Sequence, residues 1–386
     1  KSMKKILFIA DFFGPEPGGM ENFNTGLIHG QKNVVVLVTA SSRLGDQSNY
    51  KPFDEQFGVL IYRIPIPIPN FLVPTPKKNR EYVTLFQQLI EQEKPDHILF
   101  ANLYGRNAGL VPIVYRLGIP FSVILQPFDL DQLSMLHLNL HRFLKKAKSI
   151  FVFSNYFYDL ALLKGLPEQT IVSVPFGLHV RWNRSQVQRA QSKLLKKLNG
   201  TDSRFRILSM GPLTRDKNLD RVFQVIEQLD KMGINRNSYS WIIGGSGPEY
   251  GYLKEMIHLH HLNETVILTG FLDDTEVGAL YYYCDLYFHP GGQPRNQASG
   301  YSASILEAGY TSLPVISGSG AGVDEILRNQ VTGVLHSAED YTALAKSIVE
   351  LSRDSALRER MGRFAEDRVL TEFNIERTCH QIFQRL

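Results

Sequence analysis

Short apolar runs alternate with longer amphipathic stretches along the chain, and the whole pattern occurs twice. In the first half, "ILFI" from Ile6, "VVVLV" from Val34, "HILF" from His97, "FSVIL" from Phe121 and "IFVF" from Ile150 are continuous apolar or β-branched runs. Runs of this kind are expected of strands buried on both faces. Segments of helical length such as "REYVTLFQQLIEQE" lie between them, and that alternation predicts a parallel sheet covered by helices. A second series follows in "RFRILSMG", "SYSWIIGGSGP", "TVILTGFL", "DLYFHP", "LPVISG" and "TGVLH", interleaved with helical stretches such as "NLDRVFQVIEQLDKM".

The expected fold class is therefore α/β, with two Rossmann-like doubly wound domains facing each other across a cleft. The division is a first domain over residues 1–180, a polar and basic linker without a strand over 181–204, a second domain over 205–370, and a terminal helix over 371–386 that packs back on the first domain. Paired doubly wound domains normally bind a ligand at the carboxyl ends of their strands. The run "IPIPIPNFLVPTPKK", with Pro65, Pro67, Pro69, Pro74 and Pro76, forbids a helix and predicts an extended connection over the surface.

Composition narrows the classes. The 386 residues are 43% hydrophobic, enough for two cores in a soluble globular protein. Lys and Arg number 42 against 38 Asp and Glu, a formal net charge of +4, too small an excess to propose nucleic acid as a partner. Cys284 and Cys379 sit in no metal-ligand spacing, so neither a disulfide framework nor a zinc site is expected, and the cytoplasm is the expected compartment. The apolar run from Ile6 to Ala10 is too short for a signal core or a membrane span.

Several stretches carry candidate chemistry. Gly18-Gly19 follow the first strand and precede a helix, which suits either a diphosphate seat at a helix amino terminus or a tight turn without a ligand. Gly244, Gly245, Gly247 and Pro248 repeat the arrangement in the second half, with Glu249 favouring the helix start by roughly 0.3–1 kcal/mol. After Gly211, Arg215 and Lys217 stand just before a helix, where two cations suit a charged leaving group. The histidines of "HLHH" at 258–261 are assigned to a helix surface and "YYYC" at 281–284 to packing. The segment "LHLNLHRFLKKAKS" from Leu136 reads as a core-facing helix with a solvated basic end; contact with anionic lipid is its alternative where the acceptor is lipid-linked.

Taken in order, these pieces resemble the GT-B glycosyltransferases of family 4, retaining enzymes that move a sugar from a nucleotide diphosphate. The resemblance rests on Gly18-Gly19 with Glu21, on "GPLTRDK", on "GGSGPE", on "VILTGFLDDTEVGALYYYCDLYFHP" and on "SGYSASILEAGYTSLPVISGSGAGVDEILRNQVTGVL", and is strongest from Arg206 to Leu335. It implies that Gly18 and Gly19 face the donor diphosphate, and that Lys217, helped by Arg215, stabilises the leaving group. Backbone N–H groups of Gly300, Tyr301 and Ser302 would bind phosphate, Glu307 the ribose hydroxyls, and main-chain groups near Phe271 and Leu272 the base. Glu21, Gln126 and Asp129 fall on the acceptor side. No cofactor and no metal are implied. The donor is a nucleotide diphosphate sugar, UDP- or GDP-linked, and the acceptor a glycan, a lipid-linked sugar or a small molecule. A lipid-linked acceptor would place the protein at the inner face of the membrane.

Three positions depart from the family pattern. Ser299 stands where a glutamate is expected eight residues before Glu307, Pro212 where an arginine follows Gly211, and Gln126 where a histidine often ends the strand corresponding to "FSVIL". They fit either a site refitted for another sugar or acceptor, or a catalytically relaxed subunit that binds nucleotide, glycan or a partner. A nucleotide-sugar epimerase on the same fold is a third reading, with no acid pair in the sequence to support it.

Overall fold

The computed structural model describes residues 4–15, 18–39, 50–64, 76–103, 106–126, 129–130, 138–198, 204–291, 302–320 and 322–386. The chain divides into two compact units. The first comprises Lys1–His179 with Ile375–Leu386, and the second Val180–Asn374.

The first unit is built on a seven-stranded sheet in the order β3-β2-β1-β4-β5-β6-β7, from β1 (Ile6–Ala10), β2 (Val34–Val38), β3 (Leu60–Arg63), β4 (His97–Phe100), β5 (Phe121–Ile124), β6 (Ile150–Val152) and β7 (Ile171–Ser173). Every pairing is parallel. The central strands β1, β2, β4 and β5 are buried at every position, which is why they read as unbroken apolar runs. The edge strands β3 and β7 are partly exposed and gave no such run. Helix α1 (Gly19–Ile28) follows β1, and α2 (Tyr50–Phe57), α3 (Pro76–Glu93), α4 (Arg106–Arg116), α5 (Leu138–Leu144) and α6 (Asn155–Leu163) follow in order. Pro76, expected to extend the proline-rich connection, instead opens α3, where its missing N–H has no intrahelical partner to lose. The other prolines of that run lie outside the described residues. In α5, Leu140 and Leu144 are buried while Arg142 and the following Lys145 and Lys146 are exposed.

The second unit repeats the plan with six strands in the order β10-β9-β8-β11-β12-β13, again all parallel. These are β8 (Phe205–Met210), β9 (Tyr239–Gly244), β10 (Val266–Leu268), β11 (Leu286–His289), β12 (Val315–Gly318) and β13 (Gly333–His336). Trp241 is fully buried, meets Phe288 edge-on at 5.0 Å and donates its Nε1–H to Ser209 Oγ at 3.1 Å. Arg206 forks onto Asp285 through Nε (2.8 Å) and Nη2 (2.9 Å), tying β8 to the residue before β11.

Residues 181–204, expected to be a linker, contain helix α7 (Arg184–Lys197) and form part of the second unit. Asn183 caps the helix by accepting from the N–H groups of Ser185 and Gln186. Buried Val187, Leu194 and Leu198 recur at helical spacing and give this polar stretch one apolar face. The helix packs on α10 (Asp274–Tyr283). The remaining helices of the second unit are α8 (Arg221–Lys231), α9 (Tyr250–Leu259), α11 (Ala303–Tyr310), α12 (Val323–Ile326), α13 (Tyr341–Arg353) and α14 (Ser355–Glu372).

The last helix, α15 (Ile375–Phe383), returns to the first unit and packs on α1. Its buried side is Ile375, Thr378, Cys379 and Ile382. The Thr378 hydroxyl donates to Pro175 O at 2.8 Å, and the Cys379 thiol lies 3.3 Å from Leu27 O. Ile382→Ala is therefore expected to cost about 2–5 kcal/mol. Hydrogen exchange should show faster exchange in α1 while β8 and β9 keep their protection.

Candidate functional site

Strand order fixes where each site lies. In the second unit the connections run one way from β8 through β9 to β10 and the other way from β11 to β13, so the loops after β8 and β11 part and leave a crevice at the carboxyl ends. The loop after β8 is clamped to the loop after β9 by backbone hydrogen bonds. Gly211 N–H donates to Gly244 O (3.0 Å), Leu213 N–H to Ser246 O (2.9 Å) and Glu249 N–H to Leu213 O (2.9 Å). A Cβ at Gly245 would stand 2.0 Å from Gly211 O, and one at Gly247 would stand 2.4 Å from Leu213 O. Glycine is thus required for contact between the loops as well as for approach to a ligand.

That clamp sets the single 3-10 turn Arg215–Lys217. Lys217 is part-exposed, with Nζ 3.0 Å from Asp216 Oδ2. Arg215 is 91% exposed and reaches Glu249 only at 3.5 Å, a pairing that contributes little in water. The two cations therefore differ, with Lys217 held in the crevice loop and Arg215 directed to solvent. Asn218, in the left-handed region at φ 50°, and Arg221 both donate to Gly291 O, at 3.2 and 2.8 Å, joining the two sides of the crevice. His289, at the end of β11, bonds Ser317 Oγ through Nδ1 at 3.0 Å. Burial, with the Lys217 charge second, lowers its pKa to about 3, so the imidazole is neutral.

Helix α11 opens on Ser302, whose hydroxyl bonds Ser304 Oγ (2.8 Å) and does not cap the helix. One turn on, Glu307 is 9% exposed and accepts from the Tyr281 hydroxyl through Oε2 at 2.9 Å. Burial pushes its carboxyl up to about 7, while the Tyr281 hydrogen bond and the Arg181 charge pull the other way. Ser299, Gly300 and Tyr301 lie outside the described residues. At the far side of the sheet, Phe271 is 61% exposed and Leu272 is buried, just after the contact in which Gly245 N–H meets Gly270 O at 3.2 Å.

In the first unit, the order likewise reverses beside β1. Polar residues follow the central strands there: Asp11 after β1, Thr39 after β2, Asn102 after β4 and Gln126 after β5. Asn102 Nδ2 donates to Asp11 Oδ2 at 2.9 Å, and the Thr39 hydroxyl lies between Asp11 Oδ1 and Asn107 Oδ1, 3.0 Å from the latter. Asp129 accepts from the N–H groups of Leu103 (3.1 Å) and Gln126 (2.9 Å), pinning the loops after β4 and β5 together. Burial raises its carboxyl to about 7 against those two bonds, and the nearby Asp11 charge adds to the rise. Gln126 Nε2 is turned to Ala101 O at 3.3 Å. At the start of α1, Glu21 folds back over Gly18, leaving 2.0 Å between its Oε2 and a Cβ built there. A carboxylate of the chain thus faces the helix end at which the resemblance places a diphosphate.

Sequence reading did not single out Asp11, Asn102, Asn218, His289 or Tyr281. The signal for the first two was position, a polar residue directly after a buried parallel strand. Tyr281 is a packing residue, as expected, buried against Trp182 and Tyr287, and is in addition the hydrogen-bond partner of the candidate acid. The thiols of Cys284 and Cys379 are free and buried. Among the described residues, no cluster of three or more His, Cys, Asp or Glu is arranged to hold a metal ion, and no helix is long and apolar enough to cross a membrane.

With this geometry in place, comparison with known proteins gives consistent results. Residues 191–368 match the family model of glycosyl transferases group 1. The amylovoran biosynthesis glycosyltransferase AmsK of Erwinia amylovora is 29% identical over 185 residues, 47% of this chain and 45% of that protein. The N-acetyl-alpha-D-glucosaminyl L-malate synthase of Bacillus anthracis is 24% identical over 165 residues, 43% of this chain and 41% of that protein. The chain thus spans under half the length of these curated relatives. Among solved structures, Anabaena Alr3699/HepE in complex with UDP and glucose superposes over 99% of both chains with a TM-score of 0.74 at 18% identity. WaaG, a glycosyltransferase of lipopolysaccharide biosynthesis, superposes over 98% of both at 0.69 and 14%. The fold is GT-B.

Two predictions test the local geometry. Gly245→Ala, which sets a Cβ against the Gly211 carbonyl at a φ of 135°, should cost roughly 1–3 kcal/mol in urea denaturation. For Asp129, a folded pKa near 7 lies above its unfolded value, so its contribution to stability is full below about pH 4 and is lost as pH rises through 7. The stability of the wild-type chain relative to Asp129→Asn should show this decline across that range, the parallel contribution of Glu307 being common to both.

Proposed function

We propose that this chain, whose residues 191–368 are those of a glycosyl transferases group 1 domain, moves a sugar from a nucleotide diphosphate sugar to an acceptor hydroxyl with retention of configuration. The observation that carries the reading is that a cation on the clamped loop after β8 and a buried acid on the helix after β11 follow the two strands that border one switch point. Glu307 accepts hydrogen bonds from the ribose hydroxyls, an ionised acceptor with neutral donors. Uncapped N–H groups at the start of α11, beside Ser302, bind phosphate. Lys217 neutralises charge on the leaving diphosphate, and the neutral His289 beside it adds no competing cation. Backbone groups at Phe271 and Leu272 hold the base, with the exposed Phe271 ring at its edge. The UDP bound by Alr3699/HepE supports a nucleotide donor here.

Acceptor recognition falls to the first unit, through Gln126 and Asp129. The departing phosphate oxygen takes the acceptor proton on the face it leaves, so the step asks for no side-chain nucleophile and no metal. The relaxed, binding-only reading draws its support from Arg215. That residue was expected to help Lys217 stabilise the leaving group, yet it extends to solvent.

A thermal-shift panel of nucleotides and nucleotide sugars, followed by hydrolysis and transfer assays with the best binder, separates the readings. A shift with UDP or GDP is expected, with turnover reduced about 10²- to 10³-fold in Lys217→Ala. No shift with any nucleotide overturns the proposal. Binding without turnover, unchanged in Lys217→Ala, selects the binding-only reading.

A further inference from the structure

Trp182, Tyr281 and Glu307 form a connected series, of which the donor reading uses only Glu307. Asp274, Gly278 and Tyr281 recur at four- and three-residue spacing and so share one stripe of α10. The segment leading into α7 lies along that stripe. Arg181 pairs with Asp274 at 2.8 Å, and Trp182 covers Gly278 so closely that a Cβ there would meet its Cγ at 2.6 Å. The Trp182 ring then stacks on Tyr281 at 5.9 Å with 22° between planes. The Tyr281 ring also meets Tyr287 at 5.7 Å, and the Tyr287 hydroxyl interacts with that of Tyr281 while donating to Met210 O at 3.1 Å. The phenol is 1% exposed and its hydroxyl reaches Glu307 Oε2. Among the described residues, no hydrogen bond is made to Glu307 Oε1.

We propose that Tyr281 is a positioning residue for donor binding: it fixes one oxygen of Glu307 so that the other is presented to the ribose, with Trp182 holding the phenol in place. This rests on the nucleotide reading of Glu307. A glutamate on its own retains freedom about its terminal torsions, and fixing it on binding opposes affinity. A hydrogen bond from a buried phenol to the carboxylate removes that freedom beforehand and favours the ionised form that accepts from hydroxyl groups.

The groups that set the charge of Glu307 can be named by element. They are Tyr281 and Asp274 from α10, Arg181 before α7, and Tyr287 from β11, whose His289 is neutral, while β12 brings none. From α14, Glu366 is held by the Ser312 hydroxyl and Arg368 by the carbonyls of Glu325 and Ile326. Tyr310 shares the helix with Glu307.

The test is calorimetric titration of the full chain with UDP-glucose and GDP-glucose from pH 5.5 to 8.5, since neither ligand has a phosphate group titrating in that range. For the tighter binder, affinity should rise with pH through about 7 as Glu307 ionises. Tyr281→Phe, which keeps the ring and removes only the hydroxyl, should weaken binding about tenfold at pH 7 and move the midpoint upward. Glu307→Gln should flatten the pH profile, and in that background Tyr281→Phe should add no comparable loss. Binding by Tyr281→Phe with unchanged affinity and midpoint overturns the role of Tyr281 and leaves the donor reading standing. If Tyr281→Phe fails to fold, Trp182→Phe takes its place, with an upward midpoint shift expected and an unchanged midpoint overturning the proposal. Failure of the wild-type chain to bind either sugar nucleotide overturns the donor reading, and this inference with it.

Discussion

Because β1, β2, β4 and β5 of the first sheet and β9 and β12 of the second are buried along their whole length, polar side chains are largely confined to the strand ends, where the backbone leaves the sheet. The two units use those ends differently. The first ends its central strands in hydrogen-bonding side chains, Asp11, Thr39, Asn102 and Gln126, whose neighbours in the network come from the next strand or helix. The second ends its first two strands in Gly211 and Gly245, and its fourth runs into Gly291. There the loops touch through carbonyls and N–H groups, with 2.1 Å between a Cβ built on Gly291 and Gly318 O. Side-chain recognition suits a ligand read by its hydroxyl pattern, whereas a glycine crevice suits one read by phosphate and ring edges.

Much of the fold was legible because burial on two faces leaves a one-dimensional signature. Every central strand of the first unit appeared as a continuous apolar run, while the edge strands β3 and β7, wet on one side, did not. The stretch 181–204 misled for the complementary reason. Its composition is basic and polar, yet Val187, Leu194 and Leu198 suffice to seat α7 on α10, and composition carries no record of spacing. Pro76 misled because a proline count does not separate the interior of a connection from the first turn of a helix.

The site was legible as a set of positions and much less as a set of contacts. Lys217 and Glu307 stand at the carboxyl end of the second sheet, as motif order implies, but sequence could not separate Lys217 from Arg215, two cations two residues apart with opposite fates. Nor could it connect Tyr281 to Glu307, which are 26 residues apart and meet only because α10 and α11 bring them together. Hydrogen bonds at such separations depend on how elements pack, and a single sequence holds no direct trace of them.

Burial of Glu307 also bears on why the acid lies where it does. An exposed carboxylate would be ionised at neutral pH and hydrated on both oxygens, so a ribose would have to displace water for little net gain. A buried one has already lost most of that water, and the cost appears in the elevated pKa. Part of that cost is offset by the Tyr281 hydroxyl and the Arg181 charge, each supplied from an element other than α11. The segment holding Arg181 and Trp182 therefore does more than connect two sheets. It pairs with α10 through Arg181 and stacks on the phenol through Trp182, so the groups that offset the burial of Glu307 are themselves held by contacts made outside α11.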